Sequence, residues 1–344
     1  MEPRSSEACL ATTPGPVTGL AEGPWEPDEL PIPNTTIIED MGDGSFRYLV
    51  SGQPQVFIGM GYNPIYRYLS DEERAASYDR DFRILCQAGV NHIIGWDADK
   101  GYEQDKFDEL TLDYANKYGI GVVMPFYLPG DGDYRDEAFT LDLLEQAAAK
   151  VMRFKDHPAL RMWGVGNEVL MEMPAAEDRE AFGLFYLQLA DLIHILDPNH
   201  PVIYREAEDY FVSEISVLWQ GDAPERPWLL YGMNIYSDNL ERILLDWPTY
   251  GLNRPLLITE FGAEPDFHGD RAAGYLAMWW TIRGYPSYVL GGAPYAWTVE
   301  GPEPTDLKWG LMYGDGQPVD DTFPLLKKFW RLENGEPRSC PAWQ

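Results

Sequence analysis

Residues 120–169 read IGVVMPFYLPGDGDYRDEAFTLDLLEQAAAKVMRFKDHPALRMWGVGNEV and contain one complete strand–helix–strand unit. Two short apolar runs, 120–128 and 160–169, flank a stretch in which apolar residues recur at helical spacing. The two runs are apolar along their whole length rather than alternating, which is typical of strands buried on both faces. The segment therefore predicts two buried strands joined by a helix over 141–155.

The same unit recurs along most of the chain. Six further apolar runs lie at 56–62, 92–97, 201–208, 229–236, 255–262 and 289–298, which makes eight in total. Helices are predicted between and after them over 71–88, 105–117, 177–196, 240–250, 272–285 and 321–332, with a weaker helical stretch over 209–219. Ser70, with Glu73 three residues later, is the pattern of a capping box at the start of the first helix. Eight strands alternating with helices predict an α/β fold, a (β/α)8 TIM barrel.

An open doubly wound sheet is the alternative, and it lacks support because no G-x-G-x-x-G and no phosphate loop follows any strand. The predicted organisation is an N-terminal arm over 1–45, extended or disordered, a single barrel domain over 46–334, and a C-terminal tail over 335–344. A strand pair, 46–50 with 55–64, is predicted at the start of the barrel domain, because the turn SGQP separates two apolar runs.

The charge of the chain excludes whole classes of partner. Among 344 residues, 56 are acidic and 26 are basic, which gives a net charge of −30. Nucleic acid and anionic membrane surfaces both need a basic face, so neither is expected as a partner. The sequence has no apolar run of about 18 residues and no signal pattern at its start. The expectation is a cytoplasmic protein as written, or a secreted one if a signal precedes this sequence.

The cysteines and histidines predict neither a disulfide scaffold nor a metal site. Cys9, Cys86 and Cys340 are odd in number and widely spaced. Cys86 has the pattern of a buried helix residue, and a bridge between Cys9 and Cys340, in the two tails, is the alternative considered. The five histidines lack metal-ligand spacing, so no metal and no cofactor are expected.

Two glutamates stand at the ends of predicted strands. Glu168 closes the fourth apolar run and Glu260 closes the seventh, 92 residues later, which corresponds to three units of about 31 residues. Active sites of this barrel form at the carboxyl ends of the strands, so the two side chains are expected to face each other across the mouth. Such a pair suits glycoside hydrolysis, in which one carboxylic acid protonates the leaving oxygen and the other attacks the anomeric carbon. Repulsion between them helps to keep the acid protonated.

The motifs GNE (166–168) and TEFG (259–262) resemble those of the clan A retaining β-glycosidases, most closely the barrel domains of glycoside hydrolase families 2 and 5. The resemblance covers about 46–332 and implies a retaining β-glycoside hydrolase acting by double displacement. It implies that Glu168 is the acid/base, that Asn167 holds the sugar 2-hydroxyl, and that Glu260 is the nucleophile. It further implies that Tyr236 bonds the nucleophile and that Trp297 is a platform under the reacting sugar. The clan's arginine on the second strand is missing, since Ile94 stands about where it would fall.

Further strand-end residues are expected to bind the substrate, an oligosaccharide or polysaccharide: Asn63, Trp96, Asp97 and Tyr295. Asp97 and Asp99 are expected in distal subsites, whereas Glu206 and Glu208 are interpreted as solvated or loop-bonding. A transglycosylase using the same residues is one alternative function. A non-catalytic carbohydrate-binding barrel is another, favoured only by the missing arginine. The pattern indicates neither the sugar nor the oligomeric state.

Overall fold

The computed structural model describes residues 34–64, 66, 69–96, 107–219, 226–264, 268–299, 308–333 and 340. Within these residues the strands are β1 (Thr36–Asp40), β2 (Phe46–Val50), β3 (Gln53–Pro54), β4 (Phe57–Gly61), β5 (His92–Ile94), β6 (Gly121–Phe126), β7 (Leu160–Val165), β8 (Val202–Ala207), β9 (Leu229–Ile235), β10 (Leu256–Phe261) and β11 (Val289–Pro294). Strands β4 to β11 are parallel, follow one another in chain order and close where β11 pairs with β4. The predicted (β/α)8 barrel is confirmed.

The helices are α1 (Asp71–Ala88), α2 (Glu109–Lys117), α3 (Glu137–Phe154), α4 (Ala176–Leu196), α5 (Val212–Trp219), α6 (Leu240–Asp246), α7 (Arg271–Arg283) and α8 (Thr322–Glu333). The capping box predicted at Ser70 and Glu73 is present, and α1 has the predicted bounds. Helix α3 begins four residues before its predicted start because the Asp136 side chain accepts the backbone N–H groups of Ala138 and Phe139. Beyond α6 the predicted helix continues only as a 3-10 turn, Trp247–Tyr250.

The first three strands form a separate antiparallel sheet in the order β1–β2–β3. The predicted pairing of 46–50 with 55–64 is right only at its start, where β2 turns back to pair with β3 and Gln55 N–H donates to the Tyr48 carbonyl. Phe57–Gly61 instead pairs with β5 and β11 inside the barrel, and the long partner of β2 is β1. This sheet crosses the boundary predicted at residue 46 between arm and barrel.

The barrel interior is filled by apolar side chains from all eight barrel strands: Phe57, Ile94, Val123, Met162, Ile203, Leu230, Leu257, Leu290 and Ala293. Ile38, Tyr48 and Val50 of the small sheet pack against this layer. Tyr48 Oη lies 2.7 Å from Nε2 of His92, the first residue of β5. The sheet therefore closes the amino end of the barrel, and the carboxyl end is left for the site. A second, larger core lies between the strands and the helices.

A disulfide joins Cys86 in α1 to Cys340. The prediction that Cys86 is a buried helix residue is confirmed, but the Cys9–Cys340 alternative is wrong, because the Cys340 sulfur is bonded to Cys86. Cys9 lies outside the described residues. In the described ranges no helix combines the length and the apolar character needed to cross a bilayer.

Candidate active site

The two glutamates singled out above lie at the carboxyl end of the barrel. Glu260 is the fifth residue of β10 and is 4% exposed, whereas Glu168 follows β7 by three residues and is half-buried. The negative charge of Glu168 acts on Glu260 and raises its pKa. The two carboxyl groups therefore interact electrostatically at this end of the barrel.

Each carboxylate oxygen of Glu260 accepts a hydrogen bond. Tyr236, which follows β9, donates its hydroxyl to Oε2 at 2.5 Å, and Trp96 donates Nε1–H to Oε1 at 2.9 Å. Burial and then the Glu168 charge raise the pKa of Glu260 to about 7, while Tyr236, the Arg205 charge and Trp96 act in the opposite direction. These donors fix the orientation of the carboxylate and favour its ionised form.

Two groups supply a hydrogen bond and a positive charge near Glu260, although the second barrel strand carries no arginine. Ile94, at that position, is buried in the barrel interior, and Trp96, two residues later, donates to Glu260 directly. The cation comes from Arg205 on β8, which is 1% exposed and bonds the carbonyl oxygens of Gly95 and Gly166. The sequence analysis missed Arg205, although a charge within the apolar run VIYREA was the available signal.

Glu168 is held by a residue that the sequence analysis did not single out. Asn234 of β9 donates its side-chain amide to Glu168 Oε1 at 2.9 Å and to Asn167 Oδ1 at 3.1 Å. Its own Oδ1 accepts from Thr259 Oγ1 at 2.8 Å. Asn234 is fully buried, and its side-chain amide bonds both of these consecutive residues.

Glu206 and Glu208 at the end of β8 are buried rather than solvated, with 0% and 7% of their surface exposed. Glu206 accepts from the backbone N–H of Leu170 and of Ala207 and from the Tyr204 hydroxyl. Burial raises the pKa of Glu206 to about 7. Glu208 accepts the N–H groups of Tyr236 and Ser237 and the Ser237 hydroxyl. Both glutamates therefore bond loops, as one of the two interpretations from the sequence has it, and neither is solvated.

Half-buried aromatic rings line one side of this site. Tyr295 packs edge-on against Trp96 and against Tyr236, with ring centres 5.2 and 6.1 Å apart. Trp309, which the sequence analysis missed, lies 4.8 Å from Tyr236. We call Trp96, Tyr236, Tyr295 and Trp309 the aromatic wall. Rings of this kind offer apolar faces beside polar tips, which suits a sugar.

Trp297 is not part of the aromatic wall. Its side chain is 1% exposed and packs edge-on against Phe323 of α8, in the layer between barrel and helices. The assignment of Trp297 as a sugar platform is therefore wrong, because its ring faces the core. Tyr295, two residues earlier, is the half-buried ring at this strand end.

Two remaining candidates have different outcomes. The Asn63 amide donates to the Thr298 carbonyl at 2.8 Å and accepts the Thr298 N–H at 2.9 Å, and so ties the ends of β4 and β11 together. Asp97, like Asp99, lies outside the described residues. Across the described ranges, no group of three His, Cys, Asp or Glu side chains could hold a metal ion. The expected lack of a cofactor stays a prediction.

Comparison with known proteins gives one family match. The model described as "Glycosyl hydrolases family 2, TIM barrel domain" matches residues 112–289. A β-glucuronidase of Felis catus is 24% identical over 330 residues, which cover 84% of this chain and 46% of the relative. A β-glucuronidase of Paenibacillus borealis is 22% identical, over 65% of this chain and 38% of the relative. The chain thus spans about half the length, or less, of these curated relatives.

Solved structures share the fold at low identity. A family 2 β-galacturonidase of Eisenbergiella tayi bound to galacturonate superimposes with a TM-score of 0.63 at 17% identity, over 87% of this chain and 54% of that one. A β-D-glucuronidase of Dictyoglomus thermophilum gives a TM-score of 0.59 at 20% identity, over 86% and 53%.

Proposed function

The chain belongs to family 2 of the glycosyl hydrolases, and from that premise we propose that it is a retaining β-glycoside hydrolase, with Glu260 as nucleophile and Glu168 as acid/base. The observation that carries the proposal is the pair itself. Glu260 is buried, with a donor on each oxygen, and Glu168 acts on it electrostatically from the turn that follows β7. Two carboxyl groups that repel each other favour a state in which one is protonated and the other ionised, and the first step of a retaining mechanism uses one carboxyl group in each form.

In that mechanism Glu260 attacks the anomeric carbon while Glu168 gives its proton to the departing glycosidic oxygen. A covalent glycosyl-enzyme forms and the first product leaves as an alcohol. Glu168, now ionised, then takes a proton from water, which attacks the same carbon and releases Glu260. Tyr236 and Trp96 keep Glu260 oriented and favour its ionised form. In this proposal Asn167, whose Oδ1 accepts a hydrogen bond from Asn234, bonds a hydroxyl of the sugar.

The aromatic wall supports a second candidate on the same residues, transglycosylation, because rings beyond the reacting sugar can hold an acceptor in place of water. A binding-only barrel has less support, because Trp96 and Arg205 supply what the absent strand-two arginine would have supplied. Product analysis with and without added acceptor sugar separates hydrolysis from transfer.

The names of the relatives make β-glucuronides and β-galacturonides the first substrates to test, beside neutral β-glycosides. Lys308 forms an ion pair with Glu264, and its ammonium lies 4.6 Å from the ring centre of Trp309. A cation therefore stands at one end of the aromatic wall, already partnered by a carboxylate. A uronate would have to compete with Glu264 for it, whereas a neutral sugar would not.

The roles of the two glutamates are tested with Glu260→Ala and Glu168→Ala on a panel of aryl β-glycosides and β-uronides. We expect kcat to fall by more than about 1000-fold on substrates with poor leaving groups, with unchanged circular dichroism. Sodium azide should restore turnover with opposite stereochemistry in the two variants. It should give the α-glycosyl azide with Glu260→Ala, by direct displacement, and the β-glycosyl azide with Glu168→Ala, by attack on the glycosyl-enzyme.

Glu241→Ala is the matched control, because Glu241 is an exposed glutamate on α6 and should leave activity unchanged. Wild-type rates in both Glu260→Ala and Glu168→Ala would overturn the proposal.

A further inference from the structure

Strand β8 lies between β7 and β9, and its last residues contact the turns that follow both neighbours. We propose that Glu206 and Glu208 are positioning residues of the active site: Glu206 holds the turn that carries Glu168, and Glu208 holds the turn that carries Tyr236. The inference rests on the proposed function, because it takes Glu168 as acid/base and Glu260, the partner of Tyr236, as nucleophile.

The turn after β7 needs an external restraint. Glu168 has φ +53°, in the left-handed region that non-glycine residues rarely adopt. Three bonds from two consecutive β8 residues bracket it. Glu168 N–H donates to the Arg205 carbonyl at 3.0 Å, the Arg205 side chain donates to the Gly166 carbonyl at 3.1 Å, and Leu170 N–H donates to the Glu206 carboxylate at 3.0 Å.

Of these three bonds, the one to the Glu206 carboxylate restrains the chain after Glu168, at Leu170. Glu206 is fully buried, and burying a carboxylate has a large free-energy cost unless hydrogen bonds offset it. Two backbone N–H groups and the Tyr204 hydroxyl provide those bonds. Burying the Glu206 carboxylate beside the turn of Glu168 costs free energy that a fold alone does not require. A role in positioning the acid/base accounts for it.

Glu208 does the same for the other neighbour. Its Oε1 accepts the N–H of Tyr236 at 2.9 Å and of Ser237 at 3.0 Å, and its Oε2 accepts the Ser237 hydroxyl at 2.7 Å. Its own N–H donates to the Asn234 carbonyl, so it is bound to the end of β9 at two points. The Tyr236 hydroxyl then donates to Glu260. Glu208 thus acts on the nucleophile side of the site, as Glu206 acts on the acid side.

Substrates with different leaving groups distinguish an effect on the acid, Glu168, from an effect on the nucleophile, Glu260. A misplaced acid slows the departure of poor leaving groups but not of 2,4-dinitrophenolate, which leaves without protonation, whereas a misplaced nucleophile slows every substrate. We expect Glu206→Ala to lower kcat/KM by about 100-fold on an alkyl or 4-methoxyphenyl β-glycoside but by less than about 5-fold on the 2,4-dinitrophenyl β-glycoside. Glu208→Ala should lower both by nearly the same factor.

Azide gives a second measurement. Glu168 is also the base of the second step, so azide should replace water there and raise the kcat of Glu206→Ala on the dinitrophenyl substrate. The kcat of Glu208→Ala should not change. If Glu206→Ala does not fold, Glu206→Gln replaces it, since the amide keeps one acceptor for Leu170 N–H; it should show the same leaving-group dependence at smaller amplitude.

An equal loss on both leaving groups for the Glu206 variants, or no loss at all, overturns the inference even where Glu168→Ala and Glu260→Ala are inactive as proposed. If Glu168→Ala and Glu260→Ala keep wild-type rates, the proposed function itself fails. The two failures are therefore distinguishable within one set of variants.

Discussion

At the scale of single residues, the site depends on donors that reach across strands. Trp96 and Tyr236 each give one hydrogen bond to Glu260, and neither is a neighbour of it in the chain. Their bonds offset part of the effect of burial, which by itself disfavours a charged carboxylate. The pKa of Glu260 near 7 is the balance of these opposing influences.

Trp96→Phe tests that balance. The substitution removes an N–H that favours the ionised form, so the pKa of Glu260 should rise further. Because the nucleophile must be ionised, the acidic limb of the kcat/KM profile should move to higher pH, by up to about one unit. Profiles from pH 5 to 9 provide the measurement, with Trp280→Phe, a half-exposed tryptophan on α7, as control. An unchanged acidic limb would show that the Trp96 bond does not matter to ionisation.

The sequence predicts the two glutamates and, through the family resemblance, Tyr236 beside Glu260, but not the polar residues that hold Glu168. Glu168 and Glu260 are recognisable because each closes an apolar run. The roles of Asn234, Glu206 and Arg205 depend on which atoms of β7, β8 and β9 lie opposite each other. That register is set by packing of the whole barrel, and no local pattern encodes it.

At the scale of elements, strand ends decide which side chains reach the site. Beyond β11, Tyr295 is half-buried among Trp96 and Tyr236, whereas Trp297 is buried against α8. The family resemblance implies the tryptophan as platform. The chain after Pro294 instead brings the tyrosine ring, not the tryptophan ring, beside Trp96 and Tyr236.

Tyr295→Ala should therefore affect activity, and Trp297→Ala should affect stability. We expect Tyr295→Ala to lower kcat/KM by about 10-fold, the loss of about 1.4 kcal/mol of binding, and to leave the free energy of unfolding nearly unchanged. Trp297→Ala should lower the free energy of unfolding by about 3–5 kcal/mol, as deletion of a large buried ring does. Urea unfolding and steady-state kinetics on both variants measure the two effects. A stability loss confined to Tyr295→Ala would contradict the assignment of Trp297 to the core and of Tyr295 to the site.

Element bounds are predictable where the signal is local. Helix α1 has its predicted bounds because a capping box marks its start and Gly89, with φ +91°, marks its end. The small sheet is mispredicted because Phe46–Val50 has several apolar runs near it, and only the tertiary structure selects Thr36–Asp40 as its partner.

At the scale of the whole molecule, the family resemblance drawn from GNE and TEFG is confirmed, as is the barrel, whereas the covalent link between α1 and Cys340 is not predicted. The bonded cysteines are 254 positions apart, and spacing alone cannot pair them. Only the closure of the barrel, which brings α1 beside α8, places them within reach.

Reduction of this bond should weaken the fold. We expect Cys340→Ser to lower the free energy of unfolding by about 2–4 kcal/mol, the typical contribution of a native disulfide. Guanidinium unfolding with and without dithiothreitol measures it. The reductant should destabilise the wild type and leave Cys340→Ser unaffected, and equal sensitivity of both proteins would exclude the contribution assigned to this bond.

The hydrogen bonds from Glu206 and Glu208 to the turns of Glu168 and Tyr236 have a consequence for protein design. Transplanting Glu168 and Glu260 into another eight-stranded barrel would move the reactive groups without the strand that sets their geometry. The smallest transferable unit is instead the run of adjacent strands β7, β8, β9 and β10 with their turns, together with Trp96 after β5. Computational grafts onto new scaffolds should therefore treat residues 205–208 as part of the motif to be kept.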